Sequence, residues 1–367
     1  MDAPSFQPSR HRPEPGAGRG PRVPSGLSSN GLRARALARG GWAALLALSL
    51  LMGCRQDASF KGPLRLPQPD GSVVEIPESV VRRGLVVYQQ HCSACHGADG
   101  RGPPPGGQYL TPVPRAFTQG LFKFGDVAAG ELPRDEALAR TIRRGLHGTP
   151  MTGWALSDGD LHAVVQALKT FSPRWTQEPA GRALAVPADP WTGREAEARA
   201  RGEALFHVTG AGHAGCASCH AAYVSRERLV ELTREATGRV PTAFAKDLHA
   251  PTPRPSDFAR TLDAGGHATS TIPVVVPDFL SDRLKTVWPQ GRLLEGRPYD
   301  AVRQAEDLYR VIAGGVGGTS MPTWEGALSE EALWALTHYV QDLVEARGTD
   351  RAESLQRALA SQPAEGP

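Results

Sequence analysis

The sequence has no apolar run long enough to cross a bilayer. Its most apolar stretch, Trp42–Met52, is 11 residues, against the roughly 20 that a spanning helix needs. A clustered basic face is missing too. The formal charge of +3 misleads, because residues 1–53 carry seven Arg against Asp2 and Glu14, a net +5 that leaves the remainder at −2. That balance gives no support to a nucleic-acid partner, since such modules concentrate Lys and Arg on one side. His207, His213, His249 and His267 invite a metal reading as a cluster, but they are expected on loops or at the surface. Each half of the chain has too few apolar residues for a large core, and small domains of that kind need a staple. Cysteine is scarce, with five residues, and its placement says what the staple is.

Four of the five Cys lie in two matching stretches, Cys92-Ser93-Ala94-Cys95-His96 and Cys216-Ala217-Ser218-Cys219-His220. Cys-x-x-Cys-His reads as a c-type haem attachment site. Two thiols form thioethers to the haem edge, and the adjacent His turns its imidazole onto the iron. A zinc or redox reading of one copy is possible, but each copy is followed by a Met motif. Ile142-x-x-Gly145-x-x-Gly148-Thr149-x-Met151-x-x-Trp154 recurs as Ile312-x-x-Gly315-x-x-Gly318-Thr319-x-Met321-x-x-Trp324. Met opposite His raises the potential of haem iron, so Met151 and Met321 are expected to complete the sets begun by His96 and His220. Two covalently bound haem c groups follow.

The fifth cysteine, Cys54, ends an export-like segment. Arg33, Arg35 and Arg39 precede the apolar stretch, and Leu51-Met52-Gly53-Cys54 follows. This is the signal-peptide order of basic, apolar and small residues. It resembles the bacterial lipobox, with Met52 departing from the usual small residue, so Cys54 is expected to be lipidated. Residues 1–53 are then a signal peptide and 54–76 a polar tether.

Residues 77–172 form a first haem unit. Ser79 is placed to cap a helix whose Val81, Gly84, Leu85 and Tyr88 share one face. Gly84 costs helix stability, so close approach of another helix is expected there. A carbonyl among Pro103–Pro105 is the expected acceptor for the second ring nitrogen of His96. Ser157 caps a closing helix with Leu161, Val164, Val165 and Leu168 on one face. A Pro-rich linker, 173–193, leads to a second unit, 194–346. Arg201-Gly202-x-x-x-Phe206 repeats Arg83-Gly84-x-x-x-Tyr88, and Ser329 caps a helix with Leu336, Tyr339, Val340 and Leu343. The duplication is internal. Met151 follows His96 by 55 residues, but Met321 follows His220 by 101, which places an expanded loop at about 221–300. Within it Pro255-Ser256-Asp257-Phe258 parallels Pro114-Arg115-Ala116-Phe117. Residues 347–367 are a helical extension and tail.

With both Cys-x-x-Cys-His stretches, both Gly-Thr-x-Met loops and the helix faces in view, the chain resembles tandem c-type cytochromes with His/Met ligation. It is similar to mono- and di-haem subunits that serve bacterial respiratory oxidases and reductases. The resemblance covers roughly 77–172 and 194–346, and departs in the 221–300 expansion and in Val164, which stands where Tyr339 stands in the second copy. It implies an all-α fold of two tandem cytochrome c-like domains.

Closed iron coordination implies an electron carrier, not an enzyme. Donor and acceptor would be redox proteins, met on the periplasmic side of a membrane by an exported, lipid-anchored chain. The rival is a di-haem peroxidase, which needs a displaceable ligand such as His147 or His162 and is disfavoured by Met at both irons. A haem subunit of a terminal oxidase or reductase shares the chemistry and differs in partner.

Overall fold

Helix α1, Glu78–His91, is the first element of the helical body. Pro77 precedes it in extended backbone (φ −56°, ψ 141°) without a side-chain cap, and the amides of Val80 and Val81 donate to the Pro77 carbonyl. Ser79 therefore lies inside the first turn and is not the expected cap. Val81, Gly84 and Tyr88 are buried on one face, with Leu85 partly covered. They meet a helix Asp158–Lys169, α4 in chain order, whose Leu161, Val164, Val165 and Leu168 are all buried. Ser157 caps it, its hydroxyl accepting from the Asp160 amide at 3.1 Å. The helices cross at Gly84, where an added Cβ would overlap the Ala163 carbonyl. Between them lie the short helix α2, Ser93–His96, and α3, Asp135–Arg144.

The same crossing recurs. Helix α6, Glu195–His207, packs on α9, Glu330–Ala346, and a Cβ on Gly202 would overlap the Ala335 carbonyl. Ser329 Oγ accepts from the Ala332 amide at 3.2 Å, the expected cap. Helix α8, Ala301–Gly314, packs on α9, and α10, Asp350–Ala360, follows it.

This computed structural model describes residues 60–110, 113–146, 149–210, 212–240, 261–262, 268–270, 279, 301–346 and 348–361. They belong to one unit, Ala58–Pro367. The proposed signal peptide and Cys54 lie outside the described residues, as do His147, His249, Phe258 and His267. No helix among the described residues is long and apolar enough to cross a membrane.

The chain is mainly helical, in keeping with a cytochrome c-like fold, and three segments depart from expectation. Part of the expected tether is an antiparallel hairpin, β1 Leu64–Pro67 with β2 Val73–Ile76, paired from Leu64–Ile76 to Pro67–Val73. Leu64 and Leu66 alternate inward and are buried in the cluster that holds Trp175, which is what docks it. Trp175 lies on α5, Arg174–Gln177, a helical turn inside the expected linker. The expanded loop contains α7, Arg226–Thr237, capped by Ser225, whose hydroxyl accepts from the Arg228 amide. Two-stranded pairs also occur at Thr209–Gly210 with His213–Ala214 and at Thr261–Leu262 with Ala268–Ser270.

Candidate haem sites

Cys92, Cys95 and His96 occupy a single turn, in which the Cys95 and His96 amides both donate to the Cys92 carbonyl, at 3.1 and 2.9 Å. The second stretch closes the same way, with Cys219 and His220 donating to the Cys216 carbonyl at 3.0 and 2.8 Å. Burial, with the neighbouring thiol second, pushes Cys92 up to about 11, and burial pushes Cys216 up to about 12. These are thiols in apolar surroundings, where thiolate reactivity is suppressed.

The acceptor for His96 is not in the Pro103–Pro105 run. Its Nδ1 lies 2.9 Å from the Arg115 carbonyl and donates to it in the tautomer that the carbonyl selects, which leaves Nε2 with its lone pair. Burial draws the pKa of His96 below the ordinary value, against the opposing pull of the Arg115 hydrogen bond. The ring is thus held neutral, as a metal ligand must be. Phe117 stacks on it at 4.6 Å between centroids, with 23° between planes.

The ring on His220 is Phe279, at 5.1 Å and 23°. The 255–258 stretch that parallels residues 114–117 lies outside the described residues, and Phe279 is the ring seen on His220. The Phe117 amide donates to the Gly100 carbonyl, whereas the Phe279 amide donates to the Tyr223 hydroxyl at 2.7 Å. Neither Phe279 nor Tyr223 stood out in sequence; the Pro just before Phe279 was the available signal.

Both Met loops fold through one hydrogen-bond pattern. Thr149 Oγ1 donates to the Leu146 carbonyl at 2.6 Å and accepts from the Met151 amide at 3.1 Å. Thr319 Oγ1 does the same with Val316 and Met321, at 2.7 and 3.2 Å. The Leu146 amide donates to the Met151 carbonyl, and that of Val316 to the Met321 carbonyl. Beyond Met151 a Trp returns toward the attachment turn. Trp154 lies 4.8 Å from the His91 ring and packs in one cluster with Cys92, and Trp324 and Cys216 pack against the other.

Among the described residues, His207 and His213 are otherwise engaged. His207 is buried rather than on a loop. Its Nδ1 pairs with the Glu203 carbonyl at 2.8 Å and its Nε2 accepts from the Tyr223 amide at 3.1 Å. His213 pairs with the Gly210 carbonyl, and His162 is exposed.

The fit to haem can be judged from the donor set. Burial lowers Arg115 to about 10, and burial followed by the Arg115 charge lowers Lys123 to about 8. Among the described residues no carboxylate pairs with either. Trp175 Nε1 is a further buried donor without a partner, on a ring 6.3 Å from Phe122. Unmatched cations and a donor beside an aromatic cluster suit a ligand with an apolar body and two carboxylates, which haem is. The residues fit the group.

Residues 79–166 match the family model for cytochrome c oxidase, cbb3-type, subunit III. That segment runs from α1 through the first attachment turn and the Met151 loop into α4. Comparison with curated proteins finds no match. Among solved structures, a chain of the Kuenenia stuttgartiensis reducing HAO-like protein complex is similar at 25% identity and a TM-score of 0.49, over 74% of this chain and 100% of that one. The matched segment supports a cytochrome c domain in this part of the chain, and with it covalently bound haem c and a role in haem electron transfer.

Proposed function

We propose that the chain is a di-haem c-type cytochrome that passes electrons between respiratory redox proteins, outside the cytoplasm and at a membrane surface. The carrying observation is the pairing of two Cys-x-x-Cys-His turns with two Gly-Thr-x-Met loops of one backbone pattern. Cys92, Cys95, Cys216 and Cys219 would hold two haem c groups. His96 with Met151, and His220 with Met321, would be the axial ligands. Haem c supplies a one-electron iron couple when bound, and His/Met ligation sets that couple high.

The chain's own part is positioning. The Arg115 carbonyl fixes the orientation of the His96 imidazole, and burial favours its neutral form. Thr149 and Thr319 fix the backbone of the two Met residues. Phe117 and Phe279 cover the His rings. With His and Met both holding the iron, substrate would find no open position, which favours a carrier over a peroxidase. A peroxidase ligand from His162 would have to leave an exposed position on α4. The name of the matched family favours a second reading, a haem subunit within an oxidase complex; co-purification in a stable assembly would select it. Lipidation of Cys54 would hold either form at the membrane, and Cys54→Ser should release the protein to the soluble fraction.

A redox titration of the purified, exported protein tests the ligand sets. Two one-electron steps are expected. Met151→His and Met321→His should each lower one potential and leave the other nearly unchanged. If neither potential moves, the Met assignments are wrong.

A further inference from the structure

The loop that serves the first site also touches the second. Arg115 accepts from His96 through its carbonyl, and its Nη1 donates to the Gly317 carbonyl at 3.2 Å. Gly317 belongs to the turn that presents Met321. Its amide donates back to the Lys123 carbonyl at 3.2 Å. No side chain fits at this contact, because a Cβ on Gly317 would overlap the Phe122 carbonyl. Phe122 in turn stacks on Phe117, at 5.8 Å and 13°, and Phe117 stacks on His96. Residues 115–123 therefore join the proximal side of the first site to the Met loop of the second. Arg115 and Lys123 place two partly buried positive charges at the join.

From this we infer that Arg115 is a positioning residue shared by both haem sites, and that with Lys123 it sets the two reduction potentials jointly. The inference rests on the di-haem reading. Arg115 holds a ligand ring at one site and a ligand-bearing turn at the other. A positive charge near both sites would disfavour the ferric form at each, so its removal would favour oxidation at both.

The test is a spectroscopic redox titration of the exported, haem-loaded protein and its Arg115→Gln, Lys123→Gln and Arg115→Lys variants, with haem counted per chain in each. Both glutamine variants should lower both potentials. At Arg115→Gln the shift should be about tenfold in the redox equilibrium, about 59 mV for one electron. Arg115→Lys keeps the charge and should restore most of it. Faster hydrogen exchange of the Gly317 amide in Arg115→Gln would report the lost anchor. Two haems per chain with both potentials unmoved in the glutamine variants, or with only one moved, would overturn the inference and leave the di-haem reading standing. A single haem per wild-type chain would overturn both, and the haem count tells the cases apart. If Arg115→Gln does not accumulate, Lys123→Gln carries the charge test and Arg115→Lys the test of the guanidinium contact.

Discussion

Tyr88 shows how much one polar atom matters in these sites. Its hydroxyl donates to the Gly97 carbonyl at 2.7 Å in a buried position, and burial holds the phenol well above its ordinary pKa. The second copy has Phe206 at the corresponding position. Tyr88→Phe leaves the Gly97 carbonyl with only the longer bond from the Gly100 amide, at 3.3 Å, and should cost about 1 kcal/mol, read by denaturant unfolding. Lys123 offers a pH test. Its folded pKa of about 8 lies below the ordinary 10.5. Without a facing carboxylate, the unfolded chain holds the proton where the folded one has lost it, so stability rises with pH between those values. A haem propionate beside it would raise the folded pKa and remove that rise. The stability difference between haem-loaded wild type and Lys123→Met should therefore stay level from pH 8 to about 10.

At the scale of elements, the Gly84 and Gly202 crossings are the rigid part of each half. Alanine is the better helix former by about 1 kcal/mol, yet its methyl has no room against the Ala163 or Ala335 carbonyl. Overpacking of that kind costs about 1–3 kcal/mol, and here it falls on backbone that cannot rotate away. Gly84→Ala and Gly202→Ala should both lower the melting temperature, followed by circular dichroism. The Gly-Thr-x-Met loops are the second repeated element. Their Thr hydroxyls close the turn locally, which is why the motif survives in two copies whose surroundings differ.

Across the whole unit, the two halves meet asymmetrically. The 115–129 stretch of one half lies against the Met321 loop of the other, with the Ala129 amide donating to Thr323 Oγ1 at 2.8 Å. Beside it Arg144, at the end of α3, pairs with Asp307 on α8 at 2.9 Å, each side chain about a quarter exposed (25% and 24%). Asp307 also serves Arg310 at 3.0 Å. A double-mutant cycle of Arg144→Ala and Asp307→Ala should give a coupling of about 0.5–1 kcal/mol. It should be smaller than the Asp307→Ala effect, because that substitution also strips Arg310.

Sequence alone was enough for the two attachment turns, the two Met loops, the Ser157 and Ser329 caps, and the helix faces meeting at Gly84. These are local patterns, set by spacing along a helix or within a turn. The partners chosen through space were not legible. Arg115 is an ordinary loop residue until the fold brings its carbonyl to His96 and its guanidinium to Gly317, 202 positions away. Phe279 reaches His220 from a stretch that shares no motif with the segment around Phe117, because chain path decides which ring arrives there. The 64–76 hairpin looked like tether because two leucines are too weak a signal without the Trp175 cluster that buries them. Residue chemistry and its duplication were written in the sequence; the contact between the 115–123 loop and the Met321 turn is a product of tertiary packing, since it joins distant segments that no local pattern encodes.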